Sequence, residues 1–252
     1  WNVKYGATRS GKTYLDYYII PKRIRNGIGK PGLTVILGNT KGTLQRNIIE
    51  PLQDIWGTEL VSEIKADNTA YLFGEKCYCL GADNKKHINK IRGPSFKYCY
   101  GDEVATWDEG VFQMLKSRLD KPYSKFDGTC NPEGPSHWFK KFLDSNADIY
   151  QQKYTLYDNP FLAKEVLQAL ETEYRGTVFF DRYILGDWKA AEGTIYMLFA
   201  DKTKDFLVDN INEELSIVTI GVDYGAGKSK IKFVASGITY NFRNVYVLDE
   251  MD

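Results

Sequence analysis

Along this chain, apolar and polar residues switch between strand-like and helix-like spacing in short blocks. Asn2 to Tyr5 reads as a strand, followed by a helix through Tyr14 to Ile20 that Pro21 is expected to stop. Leu33 to Leu37 (LTVIL) is an apolar run of the buried-strand kind. The helical spacing from Thr43 to Trp56 admits Pro51 only with a kink or a break. Ala70 to Phe73 and Lys76 to Leu80 read as a hairpin turning at Gly74-Glu75, and Lys97 to Tyr100 and Phe126 to Cys130 as further strands. This rhythm predicts an α/β fold, with a mainly parallel sheet covered by helices on both faces.

Farther along the pattern changes. Ala163 to Trp188 is helical in spacing, Lys189 to Leu215 is mixed and linker-like, and strand-like runs return at IVTIGVDYG and NVYVLDEMD. Two strands cannot bury a core of their own, so this end is expected to open a second domain that continues past the sequence. The expected division is a domain over 1–188 with a helical, lid-like part at 158–188, a linker over 189–215, and a domain fragment over 216–252. The start is abrupt, and the sequence is expected to be cut from a longer one.

Composition narrows the class. The 252 residues are 43% hydrophobic and 26% charged, with zero formal net charge, which weighs against a basic nucleic-acid coat protein. The charge is uneven, however. Trp1 to Arg46 holds nine Lys and Arg against Asp16 alone, and Lys85, Lys86, Lys90, Arg92 and Lys97 form a second basic run. Such runs are either solvated faces or sites for polyanions. Four cysteines without a C-x-x-C pair, and only two histidines, argue against zinc and for a reduced intracellular protein. No apolar run is long enough to span a bilayer, and no membrane role is expected.

The chemistry concentrates in three places. Gly6-Ala7-Thr8-Arg9-Ser10-Gly11-Lys12-Thr13 fits G-x-x-x-x-G-K-[ST] between a strand and a helix. In such a loop, backbone N–H groups and the helix N-terminus hold phosphates, Lys12 reaches the β- and γ-phosphates, and the Thr13 hydroxyl ligates Mg²⁺. A nucleoside triphosphate with Mg²⁺ is therefore expected. Asp102-Glu103 closes the YCY strand: Asp102 would hold Mg²⁺ through water, and Glu103 would polarise the attacking water. Asn131, in GTCNP at another strand end, would touch the γ-phosphate or its water. Gly101 is an unexpected lead-in to the acidic pair, because an aliphatic residue would ordinarily pack there. Gly225-Ala226-Gly227-Lys228-Ser229 mimics a second phosphate loop, but Val222 stands where the first glycine is required, and a turn is the better reading.

The order GATRSGKT, LGADNKKHINKIRGPSF, YCYGDE, TCNPEGPSHWFKKF, LYDNPFL, RYILGDWKAAEGTIY and GVDYG resembles the large terminase subunit of tailed bacteriophages and prophages, over almost the whole chain. The resemblance implies a P-loop ATPase of the additional-strand, catalytic-glutamate type, followed by the start of a ribonuclease-H-like nuclease. It implies ATP-driven translocation of double-stranded DNA into a procapsid, and metal-dependent cutting of concatemeric DNA with Mg²⁺ or Mn²⁺. Matched by motif, Arg9 is the arginine of the loop, and Thr129 with Asn131 is the coupling motif. Arg92 is a finger supplied to a neighbour's ATP, and Asp223 is the first nuclease metal carboxylate. Asp249 and Glu250, ending the next strand, are expected near that metal at most. The chain as given is not expected to cut DNA. The portal protein, the small terminase subunit and a ring of identical subunits are the implied partners, in the host cytoplasm and transiently at the procapsid portal. The alternative is a helicase- or recombinase-like DNA-dependent ATPase acting on free DNA, and a non-catalytic ATP-binding assembly module is a third possibility.

Overall fold

A computed structural model describes the chain except residues 85, 87–92, 191–198, 200–201, 224–230, 241 and 252, and the side chain of Asp223. It separates into two compact units, Trp1–Asp201 and Lys202–Asp252. The division falls inside the stretch read as a linker.

In the first unit, β1 (Asn2–Gly6) leads into α1 (Lys12–Gly27) and β2 (Leu33–Gly38). Helix α2 (Lys41–Leu44) passes through a π-turn (Gln45–Ile49) into α3 (Glu50–Trp56). Strands β3 (Thr69–Leu72), β4 (Glu75–Gly81) and β5 (Phe96–Gly101) follow, then α4 (Glu109–Lys116), β6 (Lys125–Cys130), α5 (Trp138–Leu143), β7 (Tyr150–Tyr154) and α6 (Lys164–Tyr174). Among the described residues, the strands lie in the order β3-β4-β2-β5-β6-β1-β7, with β3 and β4 paired antiparallel and the other neighbours parallel. The hairpin turn falls at Phe73-Gly74, one residue earlier than expected. Strand β6 sits between β1 and β5, so the strand bearing Asn131 at its end is inserted between those that carry the phosphate loop and the acidic pair.

One proline departs from its sequence reading, and a second meets it. Helix α1 does not stop at Pro21 but continues to Gly27. A proline inside a helix orphans the carbonyl four residues back, here that of Tyr17. The Trp56 indole of α3 donates to that carbonyl at 2.9 Å. Pro51 likewise frees the carbonyl of Asn47, which accepts the Tyr17 hydroxyl at 2.7 Å. The π-turn before Pro51 absorbs the break anticipated there. Each proline's cost is thus met by a side chain from the opposing helix, and α1 is locked to α3 through Tyr17 and Trp56.

Gly101 has a steric cause. A Cβ there would lie 2.7 Å from the Trp107 ring and 3.0 Å from Phe126, both buried, so the aromatics occupy the space an aliphatic would have filled. The four cysteines are free and buried. Among the described residues, no helix is long and apolar enough to cross a membrane.

The second unit is an antiparallel meander of β8 (Leu215–Asp223), β9 (Lys232–Thr239) and β10 (Val245–Met251), in the order β10-β9-β8. Three strands replace the two expected. Strand β9 (KFVASGIT) escaped the pattern because Ala, Ser and Gly interrupt its apolar run. It lies between β8 and β10, so Asp249 and Glu250 are on a strand two places from that of Asp223, about 10 Å away. Asp223 ends β8 in register with Lys232. The mimic loop at 225–229 lies outside the described residues.

Candidate nucleotide site

The phosphate loop leaves the C-terminal end of β1 and delivers Lys12 to the first turn of α1. Its first glycine is set by contact: a Cβ on Gly6 would lie 1.9 Å from the Tyr154 carbonyl of β7. Gly186, in the LGDW stretch, packs against the same spot, where a Cβ would come within 2.7 Å of Gly6 Cα and 2.9 Å of the Ala7 nitrogen. The helical part after β7 therefore closes on the loop backbone to backbone. Ala7 joins Leu156 and Ile184 in one buried cluster, with Leu167 and Leu170 of α6 packed on it. Within this part, α6 ends at Tyr174 and a second π-turn follows at Phe180–Ile184, so the helical spacing from Ala163 to Trp188 is broken once.

Lys12 is 4% exposed. Its Nζ donates to the Ala7 carbonyl at 3.1 Å and to Asn131 Oδ1 at 2.5 Å. Both acceptors are neutral, and Lys12 joins none of the ion pairs found among the described residues. Burial pushes its ammonium below the usual lysine range, against the raising influence of Glu103, Cys130 and Asp102. A buried cation without a counter-ion is costly and favours an arriving anion.

Asp102 and Glu103 follow the last residue of β5. Asp102 is 3% exposed and accepts from Thr129 Oγ1 at 3.4 Å and Asn47 Nδ2 at 3.5 Å. Burial first, then the neighbouring Glu103, pushes its carboxyl up to about 6, against the hydrogen bonds of Asn47 and Thr129 and the charge of Lys12. The Glu103 N–H donates to Thr129 Oγ1 at 3.4 Å, so one hydroxyl ties both acids to β6. Glu103 has φ of 51° and Arg9 has φ of 59°, left-handed conformations that cost energy in non-glycine residues and gather at functional sites.

Thr8 through Tyr14, Glu103, Asn131 and Asn159 surround a cavity of about 430 Å³. Of the residues predicted for nucleotide chemistry, the structure brings Thr8, Arg9, Ser10, Gly11, Lys12, Thr13, Glu103 and Asn131 together here, while Asp102 does not line the cavity. Arg92 lies outside the described residues. Asp223 belongs to the second unit. Sequence reasoning missed two residues. Asn47 supports Asp102 from the π-turn, and Asn159 donates to the Arg9 carbonyl at 2.7 Å. LYDNPFL was the only signal for the second, and Asn47 had none.

The donor set suits Mg²⁺: a hydroxyl at the head of α1 and a buried carboxylate whose raised pKa a dication would reverse. Among the described residues, no group of three or more His, Cys, Asp and Glu is placed to hold a metal directly. The basic runs divide unexpectedly. Lys4 and Lys97 are buried and paired with Asp16 and Glu75, so these two cations are not solvated faces, while Arg23, whose side chain is 32% exposed, is held by Asp127.

A phosphate loop on β1, an acidic pair on β5 and a polar β6 between them define a P-loop NTPase of the additional-strand, catalytic-glutamate class. Residues 4–200 match the family model for the N-terminal part of the terminase large subunit, T4likevirus-type, and the chain belongs to that family. The large terminase of a thermophilic bacteriophage, solved with ADP, is 28% identical with a TM-score of 0.67, over 99% of this chain and 62% of that one. The same protein with ATP-gamma-S gives 29% and a TM-score of 0.64, over 99% and 62%. The large terminase of bacteriophage HK97 shares the fold at 14% identity and a TM-score of 0.55, over 94% of this chain and 56% of that one. This chain thus spans about three fifths of the length of these solved terminases. No curated protein sequence matches it.

Proposed function

We propose that the first unit is the ATP-hydrolysing engine of a viral DNA-packaging motor, coupling ATP turnover to translocation of double-stranded DNA into a procapsid. The observation that carries this reading is the buried Lys12 at a phosphate loop, in no ion pair among the described residues, in a chain of the terminase family. Lys12 neutralises the β- and γ-phosphates, with Arg9 adding charge from the same loop. Glu103 orients the attacking water and takes its proton. Asn131 gives up its bond to Lys12 when phosphate arrives, and Thr129 passes that change to Asp102 and Glu103 along β6. Thr13, and Asp102 through water, are the residues that would hold Mg²⁺, which would supply charge neutralisation between the phosphates. Arg92 acts in trans on a neighbour's ATP in a ring of subunits. Asp223 contributes the first metal carboxylate of a ribonuclease-H-like nuclease, using Mg²⁺ or Mn²⁺. A two-metal cut needs further carboxylates from the whole protein. The portal protein, the small terminase subunit and DNA are the partners, in the host cytoplasm and at the procapsid portal.

Glu103→Ala should lower ATP hydrolysis by about 10²- to 10⁴-fold while ATP binding survives. Unchanged turnover rejects Glu103 as the base. Mixing Arg92→Ala with Glu103→Ala subunits under assembling conditions should restore part of the turnover, and no rescue removes the trans finger. Family membership favours packaging over a helicase-like activity on free DNA. Strand separation of a plain duplex by the whole protein would reverse that preference.

A further inference from the structure

The end of the sheet opposite the phosphate loop carries a cavity of its own. It measures about 200 Å³ and is lined by Arg23, Lys30, Lys97, Tyr98, Tyr123 and Lys125 among others. Arg23 lies near the end of α1, Lys97 and Tyr98 at the start of β5, and Lys125 at the start of β6. The phosphate cavity lies at the other ends of the same three elements. Helix α1 alone, at 16 residues, is about 24 Å long, so the two sites are separate. Ligands of a parallel α/β sheet ordinarily gather outside the C-terminal ends of the strands, so the fold by itself does not call for a site here.

Four cations converge on this space, and no carboxylate lines it. Two of them are compensated from behind. Arg23 uses Nε and Nη2 on Asp127, at 2.8 and 3.3 Å, and makes no hydrogen bond through Nη1 among the described residues. Lys97 Nζ donates to Glu75 Oε1 at 3.0 Å and to the Lys30 carbonyl at 3.2 Å. Lys30 and Lys125 are exposed, and neither joins an ion pair among the described residues. The Lys30 ammonium lies 5.5 Å from the centre of the Tyr123 ring. Four cations against two carboxylates leave a positive excess. The C-terminus of α1 opposes it with only about half an elementary charge, felt within its last turn.

Exposed lysines alone would be a solvated face. Tyr98 makes the difference. It is 2% exposed, and its hydroxyl has no hydrogen-bond partner among the described residues. A buried donor left unsatisfied is costly, and few are retained in a fold. Burial, followed by the charges of Asp127 and Asp16, pushes its phenol well above the ordinary range, so the O–H stays a donor. Cations around a buried neutral donor are the chemistry that holds an oxyanion. The volume falls below the roughly 300–1,000 Å³ of drug-sized sites, so it suits one phosphate group rather than a whole nucleotide.

We propose that this cavity is a second oxyanion site, which binds a single phosphate group through Lys30, Lys125 and the open edge of Arg23, with the buried Tyr98 hydroxyl as the donor that orients it. The group is supplied either by free inorganic phosphate or by the backbone of DNA. The site stands apart from ATP hydrolysis and does not depend on the phosphate-loop reading.

The test titrates inorganic phosphate calorimetrically into protein whose phosphate loop is filled by a non-hydrolysable ATP analogue with Mg²⁺. The wild type should bind phosphate saturably. The double variant Lys30→Gln, Lys125→Gln and the single variant Tyr98→Phe should each weaken phosphate roughly tenfold and leave the affinity for the ATP analogue unchanged. In phosphate-free buffer, Tyr98→Phe should keep or raise the Tm, because it removes an unsatisfied donor. The site is overturned if the wild type shows no saturable binding, if either variant binds phosphate as the wild type does, or if Tyr98→Phe lowers the Tm. A duplex of random sequence then separates the two sources. A DNA phosphate requires that the lysine double variant bind duplex more weakly and with a shallower salt slope. Free phosphate requires that both stay as in the wild type. Either result keeps the site and names its source.

Discussion

Lys4 on β1 and Lys12 at the head of α1 are both almost wholly buried, yet their surroundings differ in kind. Lys4 donates to Asp16 Oδ1 at 2.7 Å, beneath the same helix, and the Tyr100 hydroxyl faces the other carboxylate oxygen. Among the described residues, Lys12 donates to a backbone carbonyl and an amide oxygen and to no carboxylate. The first charge is compensated inside the fold. The second is left for something the fold does not contain. A buried lysine is therefore uninformative by itself, and what marks a binding cation is burial without a carboxylate.

The comparison can be broken by experiment, and the largest effect is on turnover. Lys12→Met should lower ATP hydrolysis by about 10²- to 10³-fold, while thermal unfolding shows no loss of stability, because an uncompensated charge has been removed. A lowered Tm would mean that Lys12 is structural after all. Lys4→Met should do the reverse in the unfolding experiment, costing about 3–5 kcal/mol, because Asp16 is left buried without its partner. If Lys4→Met proves neutral, the contrast between the two lysines fails.

A third test uses pH. Burial, opposed by Lys4, pushes the Asp16 carboxyl up to about 6 from an ordinary value of 3.8. Between these values the folded chain holds a proton that the unfolded chain has lost. Stability from this group is complete below about pH 4 and falls as pH rises through 6, by roughly 3 kcal/mol in all. Denaturant titrations from pH 4 to 7 would show the decline, and its persistence in Asp16→Asn would assign it elsewhere. The smallest effect is at Asn131. Removing an acceptor from Lys12 with Asn131→Ala should change tripolyphosphate affinity by only about 1 kcal/mol, measured by calorimetry, if Asn131 merely holds the ammonium until phosphate replaces it.

Much of the site was legible because its signals are local. A phosphate loop needs its glycines, lysine and threonine within eight consecutive positions, and an acidic pair at the end of an apolar strand can be read in place. What was missed depends on distant partners. Pro21 read as a stop because its compensation comes from Trp56, on another helix. The excess of cations before Arg46 looked like surface or ligand chemistry, since nothing near Lys4 or Arg23 in the pattern shows that Asp16 and Asp127 lie against them. Strand β7 (YQQKY) has no apolar alternation, being a partly exposed edge strand held by backbone pairing to β1.

The sequence by itself determined the α/β rhythm, the phosphate loop and the identities of Lys12, Asp102, Glu103 and Asn131, because hydrophobic spacing and short motifs are properties of neighbouring residues. Only the tertiary structure decided that β6 enters between β1 and β5, that Thr129 ties the two acids together, and that Asn159 is bonded to the phosphate loop. Those outcomes are pairings between residues far apart in the chain. They are chosen by which buried polar groups find partners and which surfaces pack, and that is settled only when the whole sheet closes.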